Sequence, residues 1–273
     1  MDRQKIVAEG LTLPITVKDF LLSLGYSATL IKRAKYGGIL LSGKPVTVRA
    51  TVSNGDELEL IFQGSRSDIE PMNIDINVLY EDEYLVALDK PTNMPTHPSR
   101  GNSLPTLANA VMGLYGENFT FRAVNRLDRD TSGIVIIAKD QHTAGILSKD
   151  MQRGLFRKKY MCRVAGIPCE RHGMIDAPIE RECEGSIKRV VRDDGKRALT
   201  EYRVIEIEGE NALCEIILHT GRTHQIRVHM AHIGAPLVSD FLYGTPSDKE
   251  YFLRCTEIAL PHPITREPLV IKA

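Results

Sequence analysis

Residues 125–133 read Asn-Arg-Leu-Asp-Arg-Asp-Thr-Ser-Gly and lead directly into the apolar run 134–138. The run has the length and composition of a buried strand, and the Thr-Ser-Gly before it is typical of a turn. Asp128 is therefore predicted to lie in a tight loop at the end of a core strand, with Arg126 on the same side of the loop. An arginine beside a carboxylate favours the ionised form that a nucleophile or general base needs. In isolation, such an aspartate more often only caps a turn.

The composition describes a chain with enough apolar residues for a core and no excess charge. Its 273 residues suit one large domain or a small domain plus a medium one, 42% are hydrophobic, and the formal net charge is zero. Any binding to nucleic acid must therefore depend on local basic patches. The five cysteines form no CxxC pair, which argues against a disulfide scaffold or a zinc ribbon. No signal-peptide core or apolar run of membrane-spanning length is present, so we expect a soluble, cytoplasmic protein.

The first 62 residues have the pattern of a small separate module. Thr16 and Ser27 each precede a helical pattern, and Gly37-Gly38 stops the second one. Short strands are predicted at 39–41, 46–48 and 58–61, with Asn54-Gly55 as a hairpin turn. Two short helices followed by paired strands resemble the S4-type RNA-binding module.

That resemblance implies that basic residues on the second helix contact RNA. The candidates are Lys32, Arg33 and Lys35, since contacts to phosphate supply most of the affinity that is independent of sequence. The alternative is a helix face that is merely solvated.

Residues 63–73 are polar, contain Gly, Ser and Pro, and are interpreted as a linker to a larger domain at 74–273. Strand patterns outnumber helical ones in that domain, and hairpins dominate. We expect an α+β fold with a mixed, mostly antiparallel sheet flanked by helices. Within it, the polar–apolar alternation of residues 223–228 predicts a strand with Arg227 on its polar face.

Two segments resemble signature motifs of the RluA-type pseudouridine synthases. One is the Arg-Leu-Asp-x-x-Thr-Ser-Gly pattern at 126–133, and the other is Thr-Gly-Arg-Thr-His-Gln-Ile-Arg at 220–227, which matches without a mismatch. The resemblance extends over nearly the whole chain. It implies an isomerase that converts uridine in RNA to pseudouridine after flipping the base, with no cofactor and no metal.

The resemblance also assigns roles to particular residues. It makes Asp128 the catalytic aspartate and Arg227 the arginine that holds it in an ion pair. Tyr160 would lie against the uracil and act on its C5 proton, and Arg126 would fill the space that the base leaves. Asp128 would attack the ribose, attack the base or remove the ribose 2′ proton.

Further basic residues and three departures accompany those assignments. Lys158 and Lys159 precede Tyr160 in the densest basic stretch and are candidate phosphate contacts, and Lys90 is a further candidate contact to RNA. The departures are Asn125 where His often stands, Asp89 where Asn is commoner, and Ser239 where Gly is commoner.

Other classes of function remain open on the residues alone. One is an RNA-binding or ribosome-assembly factor without turnover, and another is a metal-dependent hydrolase. A metal site would use His224, His229 and His232, but no acidic ligand is interleaved and strand alternation separates the first two. Ribosomal RNA is favoured over transfer RNA because an S4-like module offers a second grip on a large target. No obligatory protein partner is evident, and a monomer is expected.

Overall fold

The computed structural model describes residues 2–62, 69–98, 105–116, 118–244 and 246–273. The N-terminal part has a four-stranded sheet in the order β1-β6-β3-β4 and a separate pair formed by β2 and β5. Its elements are β1 (Asp2–Val7), β2 (Ile15–Thr16), α1 (Val17–Ser23), α2 (Ala28–Gly37), β3 (Ile39–Leu41), β4 (Lys44–Pro45), β5 (Thr51–Val52) and β6 (Glu57–Phe62).

Both predicted helices of this part are confirmed, together with the residues that begin them. The Thr16 side chain accepts a hydrogen bond from the Asp19 backbone N–H, and the Ser27 side chain accepts one from that of Leu30. Each cap satisfies a backbone donor that has no partner inside its helix. Helix α2 ends at Gly37, and Gly38 follows with a φ of 126°.

The strand predictions for this part are partly wrong. Residues 46–48 form no strand, and the turn at Asn54-Gly55 does not close a hairpin, because β5 pairs with β2 whereas β6 pairs with β1 and β3. The sequence analysis also missed β1, which pairs antiparallel with β6 over its whole length. Most of its residues are polar or exposed, so it lacks the apolar alternation by which a strand is recognised.

The rest of the chain builds a nine-stranded sheet in the order β11-β14-β15-β10-β16-β9-β8-β7, with β17 paired to β16. Strands β12 and β13 form a separate two-stranded sheet. The elements of this part of the chain are β7 (Asn77–Glu81), β8 (Leu85–Lys90), α3 (Leu107–Tyr115), β9 (Ser132–Ala138), α4 (Gln141–Gln152), β10 (Arg157–Ala165), β11 (His172–Asp176), β12 (Ile179–Arg181), β13 (Arg189–Val191), β14 (Leu199–Glu208), β15 (Asn211–Leu218), α5 (Gln225–His232), β16 (Leu253–Pro261) and β17 (Pro268–Lys272). Among the described strand pairs, β9 and β16 run parallel and the others run antiparallel. The predicted α+β fold with a mixed, mostly antiparallel sheet is confirmed.

The strand predicted at 223–228 is wrong, because this segment begins helix α5. Two polar residues of the alternation, Gln225 and Arg227, are as buried as Ile226 and Val228, and both have hydrogen-bond partners inside the protein. A pattern that rests on polar residues facing solvent therefore fails here. His224 directly precedes the helix and has a φ of 57°, so the chain changes direction at this residue between β15 and α5.

Two large clusters of buried apolar side chains support the fold, one within residues 8–62 and one within 85–271, and Ile179, Ala198 and Val228 form a small third cluster. The N-terminal part contacts the start of helix α4. The rings of Tyr26 and His142 stack with centroids 3.7 Å apart, and Gln4 donates a hydrogen bond to Asp140. Most of the expected linker, residues 63–68, lies outside the described residues.

Gly133 joins the Asp128 loop to the core strand β9 and leaves no room for a side chain. Its φ is 106°, and a Cβ atom built on it would lie 2.2 Å from the carbonyl oxygen of Cys255. That oxygen belongs to β16, the strand that pairs parallel to β9 at this point. Only glycine allows the two backbones to approach this closely.

We predict that Gly133→Ala destabilises the protein by roughly 2–5 kcal/mol, because it adds backbone strain to a steric clash. The measurement is the urea midpoint of unfolding. Gly145→Ala is the control, since Gly145 lies exposed in helix α4 with nothing within 4 Å of its added Cβ. This control should stabilise the protein by up to about 1 kcal/mol. Equal midpoints for the two variants would contradict the account of Gly133.

Candidate active site

The loop that carries Asp128 is anchored by buried polar side chains on both sides. The Asn125 amide donates to the Ile134 carbonyl at 3.0 Å and accepts from the Ile136 N–H at 2.9 Å. The Thr96 hydroxyl donates to the Leu127 carbonyl at 2.8 Å and accepts from the Leu127 N–H at 3.2 Å. The residues before and after Leu127 are therefore fixed relative to β9.

Lys90 is the third anchor, and it is completely buried. Its ammonium donates to the carbonyls of Pro91, Met94 and Arg129 at 2.8, 2.7 and 3.1 Å. Burial lowers the pKa of Lys90 to about 8, although the charges of Asp130 and Asp128 act in the opposite direction. The interpretation of Lys90 as a contact to RNA is wrong, since its three donors are used inside the protein to hold the loop.

The Asp128 carboxylate faces two basic side chains from helix α5. Its Oδ2 atom lies 3.9 Å from Nη1 of Arg227 and 3.9 Å from Nε2 of His224. The Asp128 side chain is 35% exposed, whereas that of Arg227 is 5% exposed. Residues 224 and 227 are three apart and share one side of the helix start, which the alternation of a strand would not have allowed.

Arg227 lies within ion-pair distance of Asp128, as expected, but its bidentate partner is Asp240. Nε and Nη2 of Arg227 donate to the two carboxylate oxygens of Asp240 at 2.7 and 2.6 Å. Asp240 also accepts from the backbone N–H groups of Leu242 and Tyr243. Burial alone would lower the pKa of Arg227, but the hydrogen bonds to Asp240 and the nearby negative charges raise it above its ordinary value. Asp240 therefore sets the orientation of the guanidinium, which leaves Nη1 directed at Asp128.

His224 is held in one orientation by Tyr243. The Tyr243 oxygen lies 2.8 Å from Nδ1 of His224 and accepts a hydrogen bond from the Arg189 N–H at 2.8 Å. The Tyr243 proton is then free to be donated to Nδ1, so Nε2 carries the imidazole proton and faces Asp128. Burial lowers the pKa of His224, with the Asp128 charge opposing, so the neutral ring is favoured.

Tyr160 lies on strand β10 beneath this group and is buried. Its hydroxyl hydrogen-bonds the thiol of Cys255, and burial raises the pKa of Tyr160 well above its ordinary value, with the charge of Asp128 adding to the effect. The phenol is therefore neutral.

The two neighbouring lysines point to opposite sides of strand β10. Lys158 shares the Tyr160 side, and burial lowers its pKa, whereas Lys159 forms an ion pair with Glu215 at 3.2 Å on the other side. Lys159 therefore lies on the opposite side of β10 from Tyr160, and its expected contact with a phosphate stays a prediction.

Three aromatic rings surround the Arg227 guanidinium, and the sequence analysis missed all of them as site residues. Its Cζ atom lies 5.1, 5.1 and 6.0 Å from the ring centroids of Phe241, Tyr243 and Tyr251. A guanidinium is attracted to ring faces, and rings exclude water from it. The only signal in the sequence was the departure at Ser239, which lies close to Phe241 and Tyr243 but not to Tyr251 in the chain.

The remaining predicted residues lie outside this group. Arg126 is exposed on the Asp128 loop. The three basic residues of α2, namely Lys32, Arg33 and Lys35, are exposed on the N-terminal part. Asp89, which stands where the family more often has asparagine, forms an ion pair with Arg254 at 2.8 Å.

Two general properties of the described residues bear on the alternatives. They contain no group of three or more histidine, cysteine or acidic side chains placed to hold a metal ion. Across the same described ranges, no helix has the length and apolar character needed to cross a membrane.

Comparison with known proteins identifies a matching family and several relatives. The family model described as RNA pseudouridylate synthase matches residues 84–232, which is more than half of the chain. The RNA pseudouridine synthase YjbO of Bacillus subtilis is 36% identical over 264 residues, covering 93% of each protein. The ribosomal large subunit pseudouridine synthase D of Xanthomonas campestris is 38% identical over 215 residues, covering 77% of this chain and 64% of the relative.

Solved structures agree on the fold. Human RNA pseudouridylate synthase domain containing 1 superimposes with a TM-score of 0.62 at 21% identity, covering 77% of this chain and 86% of that one. Human RNA pseudouridylate synthase domain containing 4 gives a TM-score of 0.60 at 23% identity over 72% and 87% of the two chains. The family match and the relatives of more than 30% identity together decide the classification. This chain belongs to the RNA pseudouridylate synthase family and is an RNA pseudouridine synthase, an isomerase.

Proposed function

We propose that Asp128 begins the isomerisation of a flipped uridine in structured RNA, and that the substrate is ribosomal RNA. The observation that carries the first part is the Asp128 carboxylate, which is partly open to solvent and lies 3.9 Å from both Arg227 and His224. The arginine that faces it is itself locked by Asp240. This arrangement supplies a carboxylate of fixed orientation at the surface of an otherwise closed site.

The reaction exchanges one bond of the nucleotide for another. The bond between C1′ and N1 breaks, the uracil turns, a bond forms between C1′ and C5, and a proton leaves C5 while N1 gains one. Three routes begin with Asp128: attack on the ribose, attack on the base, and removal of the ribose 2′ proton. All three need the carboxylate within contact of the flipped nucleoside, and its exposed fraction supplies that access.

Tyr160 is proposed as a contact for the uracil ring. Burial and the Cys255 thiol keep its phenol neutral, so it is a poor base toward the C5 proton. A neutral ring held rigidly on strand β10 suits van der Waals contact with the flipped base. We therefore assign Tyr160 to orientation of the base and leave the proton transfer to another group or to water.

Arg126 is proposed to occupy the gap that the flipped base leaves. Flipping costs a few kcal/mol in lost stacking, which contacts to the protein must offset. Arg126 is exposed and two residues from Asp128, so it lies where the duplex would be opened. A planar guanidinium can stack between the remaining bases. Lys158, on the Tyr160 side of β10, is proposed to meet a phosphate of the same strand.

We further propose that residues 1–62 form an S4-like RNA-binding module, that 63–73 link it, and that 74–273 form the catalytic domain. Lys32, Arg33 and Lys35 of α2 are exposed, and within the described part of the chain no ion pair involves them. Their charges are available for phosphates, which would give a second grip on a large RNA. The name of the relatives called ribosomal large subunit pseudouridine synthase D favours ribosomal RNA, and a cytoplasmic site of action follows from such a substrate.

The first prediction of this proposal concerns Asp128. Deleting the gene should remove particular pseudouridines from ribosomal RNA, as mapped by carbodiimide-stop sequencing of total RNA. The wild-type gene should restore them, whereas Asp128→Asn should not, because the amide is neither a nucleophile nor a base. Binding of the purified variant to the same RNA should remain within a few-fold of wild type.

Asp194→Asn is the matched control, since it removes an exposed aspartate that also pairs with an arginine. It should restore every site. Restoration by Asp128→Asn would sink the assignment of Asp128, and loss of sites from transfer RNA alone would sink the preference for ribosomal RNA.

The second prediction concerns Arg227. In Arg227→Lys the charge remains but the bidentate contact to Asp240 is lost, so the orientation toward Asp128 is lost as well. Turnover should fall by about a hundredfold or more, while RNA affinity changes by only a few-fold. Single-turnover rates and equilibrium binding measure the two effects.

Arg266→Lys controls for the loss of a two-point contact between an arginine and a buried carboxylate, because Arg266 binds Asp150 of α4 in this way. It should lower the melting temperature and leave the single-turnover rate within a few-fold of wild type. If Arg227→Lys lost affinity and rate by the same factor, Arg227 would be a phosphate contact instead.

The third prediction concerns helix α2. A combined change of Lys32, Arg33 and Lys35 to glutamine should weaken RNA binding and reduce the slope of log affinity against log salt by about 2–3. The turnover number at saturating RNA should remain near wild type. The control is Arg3→Gln with Lys5→Gln, because these cations of the same module are already paired with Glu59 and Glu57. An equal change of slope in the control would refute a specific role for α2.

A further inference from the structure

Phe241 is a large apolar side chain that lies 63% exposed beside the candidate active site. It directly follows Asp240, the residue that holds Arg227. Exposing a phenylalanine forfeits the free energy that burying it would supply. A single exposed apolar side chain is common on protein surfaces, so it is the position of Phe241 against the Arg227 guanidinium that makes it informative.

The backbone around Phe241 is rigid. The Asp240 carboxylate accepts from the N–H groups of Leu242 and Tyr243 at 2.9 and 3.2 Å, and its carbonyl accepts from that of Gly244 at 2.9 Å. A Cβ atom on Gly244 would lie 2.6 Å from the Leu237 carbonyl oxygen, so the turn is closely packed. The ring of Phe241 is therefore presented from a fixed position, and binding orders little beyond its two side-chain torsions.

Two arginines limit where the Phe241 ring can meet a ligand. Its centroid lies 5.1 Å from Cζ of the buried Arg227 and 5.9 Å from Cζ of Arg129 in the Asp128 loop. One part of the ring thus covers the guanidinium that faces Asp128, and the remainder is open to solvent. Arg129 is itself paired with Asp130, at 2.9 Å.

We propose that Phe241 is a specificity-determining residue that stacks on a nucleobase adjacent to the flipped uridine in the RNA. An open aromatic face of this kind suits any nucleobase, since every base has a π-face. The inference rests on the proposed position of the active site at Asp128.

A neighbouring base is a better occupant than the target uracil. The flipped nucleoside must bring its ribose and base to Asp128 and to Tyr160, which is buried at the floor of the site. Phe241 lies outside the Arg227 guanidinium, toward solvent, so the strand that leads into the site passes over it. Stacking there would hold the strand beside the opening and make conversion depend on the base that stacks.

The test uses a synthetic oligoribonucleotide that spans one uridine converted by the wild-type enzyme in total RNA. Matched oligonucleotides carry an abasic residue at each of the two positions on either side of that uridine. KM and kcat are measured for wild type, Phe241→Leu and Phe241→Tyr. Met174→Ala, which removes an exposed apolar side chain from β11, is the control, and melting temperatures report folding.

For wild type, the abasic residue at one position should raise KM by roughly tenfold or more, in line with the contribution of one stacked base. Phe241→Leu keeps apolar cover over Arg227 but lacks the ring. With the intact oligonucleotide, the KM of this variant should already be roughly tenfold or more above that of wild type. The abasic residue should raise its KM no further, and kcat should be unchanged. Phe241→Tyr, which keeps the ring, should retain the dependence of KM on the same abasic position, and Met174→Ala should behave as wild type.

Two outcomes would overturn the inference. One is an equal effect of every abasic residue on wild type and Phe241→Leu, which would mean that no base stacks on Phe241. The other is a loss of kcat in Phe241→Leu at an unchanged KM, which would mean that the ring only shields Arg227. Both are distinct from failure of the proposed function, which would appear as turnover by Asp128→Asn.

Discussion

The buried guanidinium of Arg227 is the interaction on which the site depends. Removing a charge of this kind from water costs several kcal/mol, and the cost is offset only when the charge is paired with good geometry. Asp240 supplies that pairing through two hydrogen bonds, and backbone N–H groups occupy the other acceptor positions of the carboxylate. Because Asp240 pairs with Nε and Nη2 of Arg227, Nη1 is left to face Asp128.

The opposite side of the site is fixed by a different device. The Asp128 loop is anchored by Lys90, Asn125 and Thr96, each of which hydrogen-bonds to main-chain groups instead of other side chains. Backbone partners hold the path of the chain and leave the Asp128 side chain free to meet a nucleoside. The carboxylate and the arginine thus come from two regions that are rigid independently of each other, which is the preorganisation that electrostatic catalysis requires.

Local patterns in the sequence predicted those parts of the fold that local interactions determine. The helix caps at Thr16 and Ser27 and the strand at 134–138 follow from residues close together in the chain. Strand β1 could not be predicted in this way because its hydrogen-bond partners lie in β6. Helix α5 could not be predicted because the burial of Gln225 and Arg227 depends on partners elsewhere in the chain, namely Thr200 and Asp240. The order of strands in the sheet has the same origin, since β9 meets β16 across more than a hundred residues.

Of the site itself, the sequence predicted only the residues that lie within recognisable motifs. The motifs pointed to Asp128, Arg227 and Tyr160, which the fold brings together. They gave no indication of Asp240 as the bidentate partner of Arg227 or of Phe241 as an open ring beside it, because neither role is visible without the turn that unites them. The motifs also did not show that Lys159, adjacent to Tyr160 in sequence, lies on the other side of β10 and pairs with Glu215.

The departures from the family pattern have structural explanations. Asn125 spans two main-chain groups of β9 with one donor and one acceptor, a task that a planar amide performs without any role in catalysis. Asp89 pairs with Arg254, so the negative charge that stands in place of a neutral asparagine amide has a positively charged partner. Ser239 adopts a φ of 53°, the conformation in which glycine is favoured, and its hydroxyl donates to the Lys249 carbonyl at 2.7 Å. In each case the residue that departs from the family pattern belongs to the segments that support the site. The geometry around Asp128 and Arg227 is therefore preserved, although residues around them differ from the family pattern.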